Sequence, residues 1–380
     1  MHLKRKRNYI SIYMMLLGLL LIQIANPLRI YVLVSLGTAV IALAAILAFF
    51  SAFSLETKVD SSLSKIFILA CVMLFSMLAT SGINISNIIK FLCFFEIPLF
   101  FYAYKEIDSR RIKKIIYLVY FALSFFYIAL SFSGNAHILR IKNVSYIVES
   151  LTLGYNNPNE TAMYLFVCFS VLLLMFFDVQ KALFKFVLLV DLLYIASMIY
   201  RTESRTMIVS MIAMVVLTFL FRNKSVPSPL VTFSFVVPLL FIFVLQMYGD
   251  LVLLGERIET GRLDIFSRVT EKMTMMKFFI GDYNIKFENL HNLYVSVFGT
   301  IGIIGVFTFV LFLIQKVKYA LKNAISKVNR IAVIAIIMLI VSSSTEAAVF
   351  TAGSAYAASV VTLYVLSILK EGEKDESLTN

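Results

Sequence analysis

The sequence has no tryptophan, only three cysteines and three histidines, and few charged residues. Charged side chains make up 15% of its 380 residues, whereas an ordinary soluble protein carries about 25%. So little charge excludes a disordered chain, a coiled coil and a typical cytosolic enzyme. Cys71, Cys93 and Cys168 all lie within apolar runs. An odd number of thiols in such surroundings indicates neither a disulfide framework nor a metal site.

Apolar residues dominate the composition of the chain. They make up 61% of the chain, and the mean hydropathy is +0.91. A helix needs about 20 apolar residues to cross about 30 Å of hydrocarbon, so continuous runs of this length predict membrane-spanning helices. Twelve such spans are predicted, over residues 9–25, 30–53, 64–81, 86–104, 113–132, 159–178, 182–200, 205–221, 229–247, 291–314, 331–345 and 347–369. The expected fold class is an all-α integral membrane protein, with one polytopic domain over residues 1–380.

The distribution of lysine and arginine predicts how the spans are oriented. A basic run at Lys4–Arg7 favours a cytoplasmic N-terminus, and twelve crossings return the C-terminus to the same side. Two larger loops, 133–158 and 248–290, then lie on the extracytoplasmic side. Apolar residues recur at helical spacing between Ile265 and Met276 in the second loop, so an interfacial helix is expected there.

Arginines on the predicted outer side run against the usual bias toward positive charge in the cytoplasm. Arg201 and Arg205 flank a short outer turn between two spans, and Arg257, Arg262 and Arg268 lie in the second large loop. A guanidinium group binds two phosphate oxygens at once, so the pair at the turn suits a multiply charged phosphate. For the long loops, the alternative is that they are translocated regardless of their charge.

Two polar motifs lie at predicted outer ends of spans. His291, followed by Asn292 and Tyr294, opens the tenth span. A neutral imidazole there could accept a proton from a sugar hydroxyl, or it could serve only as a polar anchor. The run Asn157-Pro158-Asn159-Glu160 is typical of a capped helix start. The same helix end could also bind an anion.

Two acidic residues, Glu96 and Asp191, lie within predicted spans. Acids inside a membrane are costly and are therefore candidates for a functional role. Structural ion pairs, for instance with Lys90 or Lys185, are the alternative interpretation.

Four stretches of the sequence occur in a recognisable order. They are GYNNPNETA at 154–162, ESRT at 203–206, TGRL at 260–263, and HNLY at 291–294 followed by Gly299 and IGIIG at 301–305. Together they resemble the bacterial O-antigen polymerase and O-antigen ligase superfamily, over roughly residues 150–315. The resemblance implies a membrane-embedded glycosyltransferase of GT-C-like architecture that needs no metal or other cofactor. It also implies glycans linked to undecaprenyl pyrophosphate as donor and acceptor.

The resemblance further implies roles for individual residues. Arg205 and Arg262 would hold the donor pyrophosphate, and His291 would activate the acceptor hydroxyl. Supporting substrate-binding roles are expected for Arg201, Arg257, Arg268, Asn157, Asn159, Asn292 and Tyr294. The expected partners besides substrate are membrane lipid, a chain-length regulator and a flippase, and no nucleic acid.

The expected function is polymerisation of lipid-linked repeat units into O-antigen or capsular polysaccharide, on the outer face of a bacterial cytoplasmic (inner) membrane. Three alternatives stay open. One is a ligase that transfers the glycan to lipid A core or to protein. The second is a polysaccharide flippase or transporter, which predicts functional charges near the bilayer midplane and paired repeats. The third is a cell-wall glycosyltransferase of the shape-and-division type, for which Asp264 is the nearest catalytic carboxylate.

Overall fold

A computed structural model gives the fold of the chain. It describes residues 2–53, 61–105, 107–108, 110–133, 136–142, 146–155, 157–248, 252–253, 256–257, 267, 269, 271, 273–284, 292–343 and 354–370. These residues are mainly helical, as the long apolar runs predict. The helices are α1 (His2–Ala25), α2 (Tyr31–Phe53), α3 (Ser61–Thr80), α4 (Ile85–Ala103), α5 (Arg110–Ser131), α6 (Pro158–Asp178), α7 (Ala182–Arg201), α8 (Arg205–Phe221), α9 (Ser228–Tyr248), α10 (Met275–Ile280), α11 (Leu293–Lys322), α12 (Lys327–Ser342) and α13 (Ser354–Ile368).

Short strands form three two-stranded ladders in the described part of the chain. The strands are β1 (Ile107–Asp108), β2 (His137–Lys142), β3 (Tyr146–Leu151), β4 (Val252–Leu253), β5 (Glu256–Arg257) and β6 (Leu369–Lys370). β1 and β6 run parallel, whereas β2–β3 and β4–β5 are antiparallel pairs. The β2–β3 hairpin occupies the first of the two predicted large loops, between α5 and α6.

Each of the twelve predicted spans coincides with a helix, namely α1 to α9, α11, α12 and α13. Among the described residues, seven helices are both long and apolar enough to cross a membrane: α2, α3, α4, α5, α6, α7 and α11. The chain is therefore a helical, multi-pass membrane protein. The others are shorter or carry shorter apolar stretches, such as Tyr9–Ala25 in α1 and Arg205–Phe221 in α8. The count of twelve spans and the GT-C-like arrangement stay predictions.

The helix α11 contains a break, and the break is built on glycine. Ile301 (φ −129°, ψ 17°) and Gly302 (φ 62°, ψ −170°) have non-helical backbone angles. α11 therefore consists of two consecutive helices joined at a kink. A Cβ atom on Gly302 would lie 2.3 Å from the carbonyl carbon of Phe279 in α10, and one on Gly281 would lie 2.2 Å from that of Thr300. Only glycine permits both the positive φ angles and this backbone contact.

Polar contacts fix the segment around the break. The Ser76 hydroxyl of α3 donates to the Thr300 carbonyl at 2.9 Å, and the Asp282 amide donates to the Gly299 carbonyl at 2.7 Å. Lys90 of α4 donates to the Tyr283 carbonyl at 3.0 Å. Carbonyls that the broken helix leaves without partners are thereby satisfied. The end of the long connection between α9 and α11 is consequently held against α3 and α4.

Residues 265, 266, 268, 270 and 272 of the interfacial helix expected between Ile265 and Met276 lie outside the described residues. The described helix in this connection, α10, begins at Met275 with Thr274 as its N-cap. The Thr274 hydroxyl accepts from the Lys277 amide at 3.3 Å. The interfacial helix thus stays a prediction.

Candidate functional site

The turn between α7 and α8 positions two of the predicted arginines. α7 ends at Arg201 and α8 begins at Arg205, so three residues make the whole connection. Thr202 is buried, and its hydroxyl donates to the Ile199 carbonyl at 2.6 Å. Glu203 has φ 58°, the left-handed conformation that lets a chain reverse within so few residues. The predicted tight turn is confirmed.

The β2–β3 hairpin packs beside this turn and contributes two further polar residues. His137 pairs with Leu151, and Leu139 pairs with Glu149. Residues two apart on a strand share a face, so His137 and Glu149 are diagonal neighbours on one side of the hairpin. The base of the hairpin is anchored to α6, because the Thr161 hydroxyl donates to the Thr152 carbonyl at 2.7 Å.

Hairpin and turn together enclose an open cavity of about 410 Å³. Its lining consists of His137, Glu149, Tyr200, Arg201, Glu203, Arg205 and Ile208. The Arg201 guanidinium lies 2.8 Å from Nε2 of His137, measured from Nη2, and Nδ1 of His137 lies 3.5 Å from Oε1 of Glu149. Two guanidinium groups, an imidazole and two carboxylates thus share one concave surface.

The contacts of His137 determine which of its ring nitrogens carries the proton. Arginine has only donors and stays protonated, so Nε2 of His137 must accept from Arg201. Nδ1 then carries the hydrogen and faces the Glu149 carboxylate. His137 thus lies between the Arg201 guanidinium at one ring nitrogen and the Glu149 carboxylate at the other.

Asn157 and Asn159 lie at the beginning of α6, where the capping motif was expected. The Asn157 side chain accepts from the Asn159 amide at 2.9 Å, and Pro158 occupies the first helical position. The predicted helix start is confirmed. The substrate-binding role of the two asparagines stays a prediction.

Asn292 and Tyr294 have clear structural contacts at the start of α11. Asn292 is buried, and its side chain accepts from the amides of Tyr294 at 2.9 Å and Val295 at 3.2 Å. The Tyr294 hydroxyl donates to the Phe235 carbonyl of α9. These contacts cap α11 and attach it to α9, and a role in substrate binding stays a prediction.

The remaining predicted site residues lie outside the described part of the chain or have only their backbone described. His291, Arg262 and Arg268 lie outside the described residues. Arg257 lies in β5, where the backbone alone is described. The structure therefore brings together Arg201 and Arg205 of the predicted set, and adds His137 and Glu149, to which the sequence analysis gave no role. The sequence carries no clear local signal for these two residues, because neither HILRIK nor YIVESL alternates strictly between apolar and polar residues.

The two acids within the spans are hydrogen-bonded to serines. Oε1 of Glu96 accepts from the Ser354 hydroxyl of α13 at 2.6 Å, and Oδ2 of Asp191 accepts from the Ser124 hydroxyl of α5 at 2.7 Å. The suggested ion pairs with Lys90 and Lys185 are therefore not the contacts that these carboxylates make. Both acids join neighbouring helices across the bundle.

No protein-family model and no curated protein sequence matches the chain. The resemblance to the O-antigen polymerase and ligase superfamily accordingly rests on the four stretches and their order.

Proposed function

We propose that the protein is a glycosyltransferase that polymerises undecaprenyl-pyrophosphate-linked repeat units into O-antigen or capsular polysaccharide. Under this proposal, the cavity at the α7–α8 turn is the active site and faces the outside of the cytoplasmic membrane. The observation that carries the proposal is that Arg201 and Arg205 line a single cavity next to an imidazole.

The two arginines suit the leaving group of this reaction. A pyrophosphate leaves readily once its developing charge is stabilised, and guanidinium groups can stabilise it with paired hydrogen bonds. Arg201 and Arg205 lie four residues apart across a short turn and line the same cavity, so we expect both to reach one diphosphate. Arg262 would add a third guanidinium from the long connection, as the resemblance implies.

The chemistry is a substitution at the donor sugar. The acceptor hydroxyl oxygen attacks C1 of the donor chain, and the bond between C1 and the phosphate oxygen breaks. The electron pair leaves with the undecaprenyl pyrophosphate, and the hydroxyl proton passes to an imidazole. His137 is one candidate acceptor of that proton, because it lines the same cavity as the two arginines and lies beside Glu149. Under this proposal, Arg201 leaves Nε2 of His137 when it binds the diphosphate. His291 is the other, from the resemblance.

The experiment is complementation of a strain that lacks the gene, with surface and lipid-linked glycans separated by gel electrophoresis. Arg201→Ala and Arg205→Ala should each reduce polymer by about 100-fold or more, as loss of a transition-state hydrogen-bond donor does elsewhere. Single repeat units should then accumulate on the carrier lipid. Arg222→Ala is the matched control, since Arg222 lies at the other end of α8 and stacks over Phe177 and Phe219.

The glycan pattern also separates the alternatives. Normal polymer ladders from Arg201→Ala and Arg205→Ala, with the proteins present in the membrane, would refute the proposed site. Undecorated core with long lipid-linked polymer in the deletion strain would indicate a ligase, and loss of all outward-facing repeat units would indicate a flippase. His137→Gln and His291→Gln compared in the same strain identify the proton acceptor, since only loss of that imidazole should abolish the pH dependence of polymerisation.

A further inference from the structure

A second cavity lies between α1 and α5, and its walls are apolar. It measures about 320 Å³. Its apolar lining consists of Tyr13, Leu16, Leu17 and Leu20 from α1 and Ile115 and Val119 from α5. The spacing of these positions is that of one stripe along each helix, so the cavity is a groove that runs along both helix axes.

The direction of the groove follows from a contact at its far end. The Tyr127 hydroxyl of α5 donates to the Gln23 side chain of α1 at 2.8 Å, so the C-terminal halves of the two helices meet. The groove therefore lies on the N-terminal side of this contact in both helices, along residues 13–20 of α1 and 111–119 of α5. It extends from Arg111 to Val119 on α5, about 12 Å of helix at 1.5 Å per residue.

One cation lies at the end of this apolar groove. Arg111 is the charged member of the lining, and it is in the first turn of α5 together with Arg110, Lys113 and Lys114. Lys113 forms an ion pair with Asp178 at 2.9 Å. Within the part of the chain that the structure describes, the Arg111 guanidinium makes no hydrogen bond or ion pair.

The charges at this end of α5 are mutually unfavourable. The N-terminus of a helix carries a partial positive charge, and basic side chains in the first turn add to it instead of offsetting it. An anion bound beside Arg111 would offset both charges. The groove thus combines an apolar channel with a site for a negative group at one end, which is the chemistry of an anionic lipid.

We propose that the α1–α5 groove binds one acyl chain of an anionic phospholipid, with the lipid phosphate at Arg111. The predicted orientation agrees with this ligand, because it puts the beginning of α5 at the cytoplasmic leaflet, where anionic lipids are enriched. The proposal is independent of the glycosyltransferase activity, since neither α1 nor α5 contributes a residue to the lining of the other cavity.

The test is a lipid titration of the full-length protein in neutral detergent, with the midpoint of thermal unfolding as the readout. Phosphatidylglycerol should raise the midpoint more than phosphatidylcholine with the same acyl chains. Arg111→Ala should weaken the apparent affinity for phosphatidylglycerol about five-fold, the effect of one basic residue near a membrane surface. Arg110→Ala is the matched control, because Arg110 is the preceding exposed arginine and lies outside the groove lining.

A second pair of variants tests the apolar part of the site. Leu17→Trp should reduce the lipid-induced shift by filling the groove, whereas Leu43→Trp should leave it unchanged. Leu17 is 54% exposed within the groove, and Leu43 is 49% exposed on α2 outside it. The two leucines thus match in exposure and differ in position.

Four outcomes would overturn the proposal. An equal loss in Arg110→Ala and Arg111→Ala would indicate diffuse attraction of charge. The same shift with glycerol 3-phosphate would indicate an anion site without a chain in the groove. An equal shift with phosphatidylcholine, or with Leu17→Trp, would indicate that the groove does not select this lipid.

Discussion

Two neighbouring helices, α6 and α7, are nearly equal in length and equally apolar, yet they are packed in opposite ways. In the most apolar stretch of α6, 83% of the residues are buried, against 33% in α7. Hydropathy measures how readily a segment leaves water. An apolar side chain leaves water equally well when it contacts lipid and when it packs against protein. The two helices therefore look alike to any analysis of hydropathy, although one is a central helix and the other faces lipid.

The neighbours of each helix explain the difference. α6 packs against α5, α7, α8, α12 and α13, so it is covered on all sides. α7 is buried along one face only, at Leu188, Asp191, Leu192, Ile195, Met198 and Ile199. These positions recur every three or four residues, as in a helix at the edge of a bundle. The central helix thus supports the hairpin at its beginning, while the edge helix carries Arg201 at its end.

The largest expected effect is on the free energy of unfolding, and it comes from the difference in packing between α6 and α7. Leu172 in α6 is fully buried, whereas Leu193 in α7 is 64% exposed. In a membrane, the free energy of moving a leucine out of water largely cancels between the folded and unfolded states. It cancels because a helix that has separated from the bundle still has its leucines in lipid. Leu172→Ala should therefore cost the cavity part of the usual penalty, about 1–3 kcal/mol. Leu193→Ala should change stability by less than about 0.5 kcal/mol.

Reversible unfolding of the two variants in mixed micelles measures both values. Equal destabilisation by the two substitutions would mean that α7 is also covered by protein, for instance by a second copy of the chain. The difference in packing between α6 and α7 would then be a property of the single chain alone.

A smaller effect concerns how the two helices begin. Asn157 caps α6 with a hydrogen bond from its side chain, whereas Lys181 at the start of α7 makes no such bond. Asn157→Ala should destabilise the protein by about 1 kcal/mol, and Lys181→Ala should have almost no effect. Hydrogen exchange at the first turn of α6 checks the cause, since the amide of Asn159 should lose protection. Unchanged exchange there would show that the cap does not stabilise the helix.

The boundaries of these helices could be predicted from the sequence, because a long apolar run and its flanking polar residues are local signals. The tight turn between Arg201 and Arg205 was predictable for the same reason. Which helix lies at the centre could not be predicted, since α6 and α7 have the same hydropathy. His137 and Glu149 reach the cavity only through strand pairing, and that pairing is not a property of either strand by itself.

The break in α11 is another feature that could not be predicted from the local sequence. Gly299, Gly302 and Gly305 were part of the motif that carried the resemblance, but their spacing also suits a continuous helix. The break at Gly302 becomes intelligible only with Phe279 and Gly281 packed against it. A contact between α10 and the middle of α11 joins residues that are about twenty positions apart, and local sequence does not specify it.

Polar contacts add to packing in the segment after α10, and the smallest expected effect concerns one of them, the ion pair of Asp282. Lys277 donates to Oδ2 of Asp282 at 2.7 Å, and the Asn284 amide donates to Oδ1 at 3.1 Å. Burial raises the pKa of Asp282, but the hydrogen bonds and the charge of Lys277 outweigh it, so the pKa lies below the ordinary value of 3.8.

A depressed pKa in the folded state fixes the sign of the pH dependence. The contribution of Asp282 to stability is fully present above about pH 4 and is lost as the pH falls through the lower folded-state value. For a partly exposed ion pair this contribution should be below about 1 kcal/mol. Asp282→Asn should therefore lower the unfolding midpoint slightly at pH 6, and the difference from the wild type should shrink as the pH falls below about 4. The test is to measure the unfolding midpoint of each variant across this pH range. Lys277→Met, which removes the other member of the ion pair, should show the same pH dependence. If the midpoints of Asp282→Asn and the wild type still differ by the same amount in acid, the charge of Asp282 does not contribute to stability.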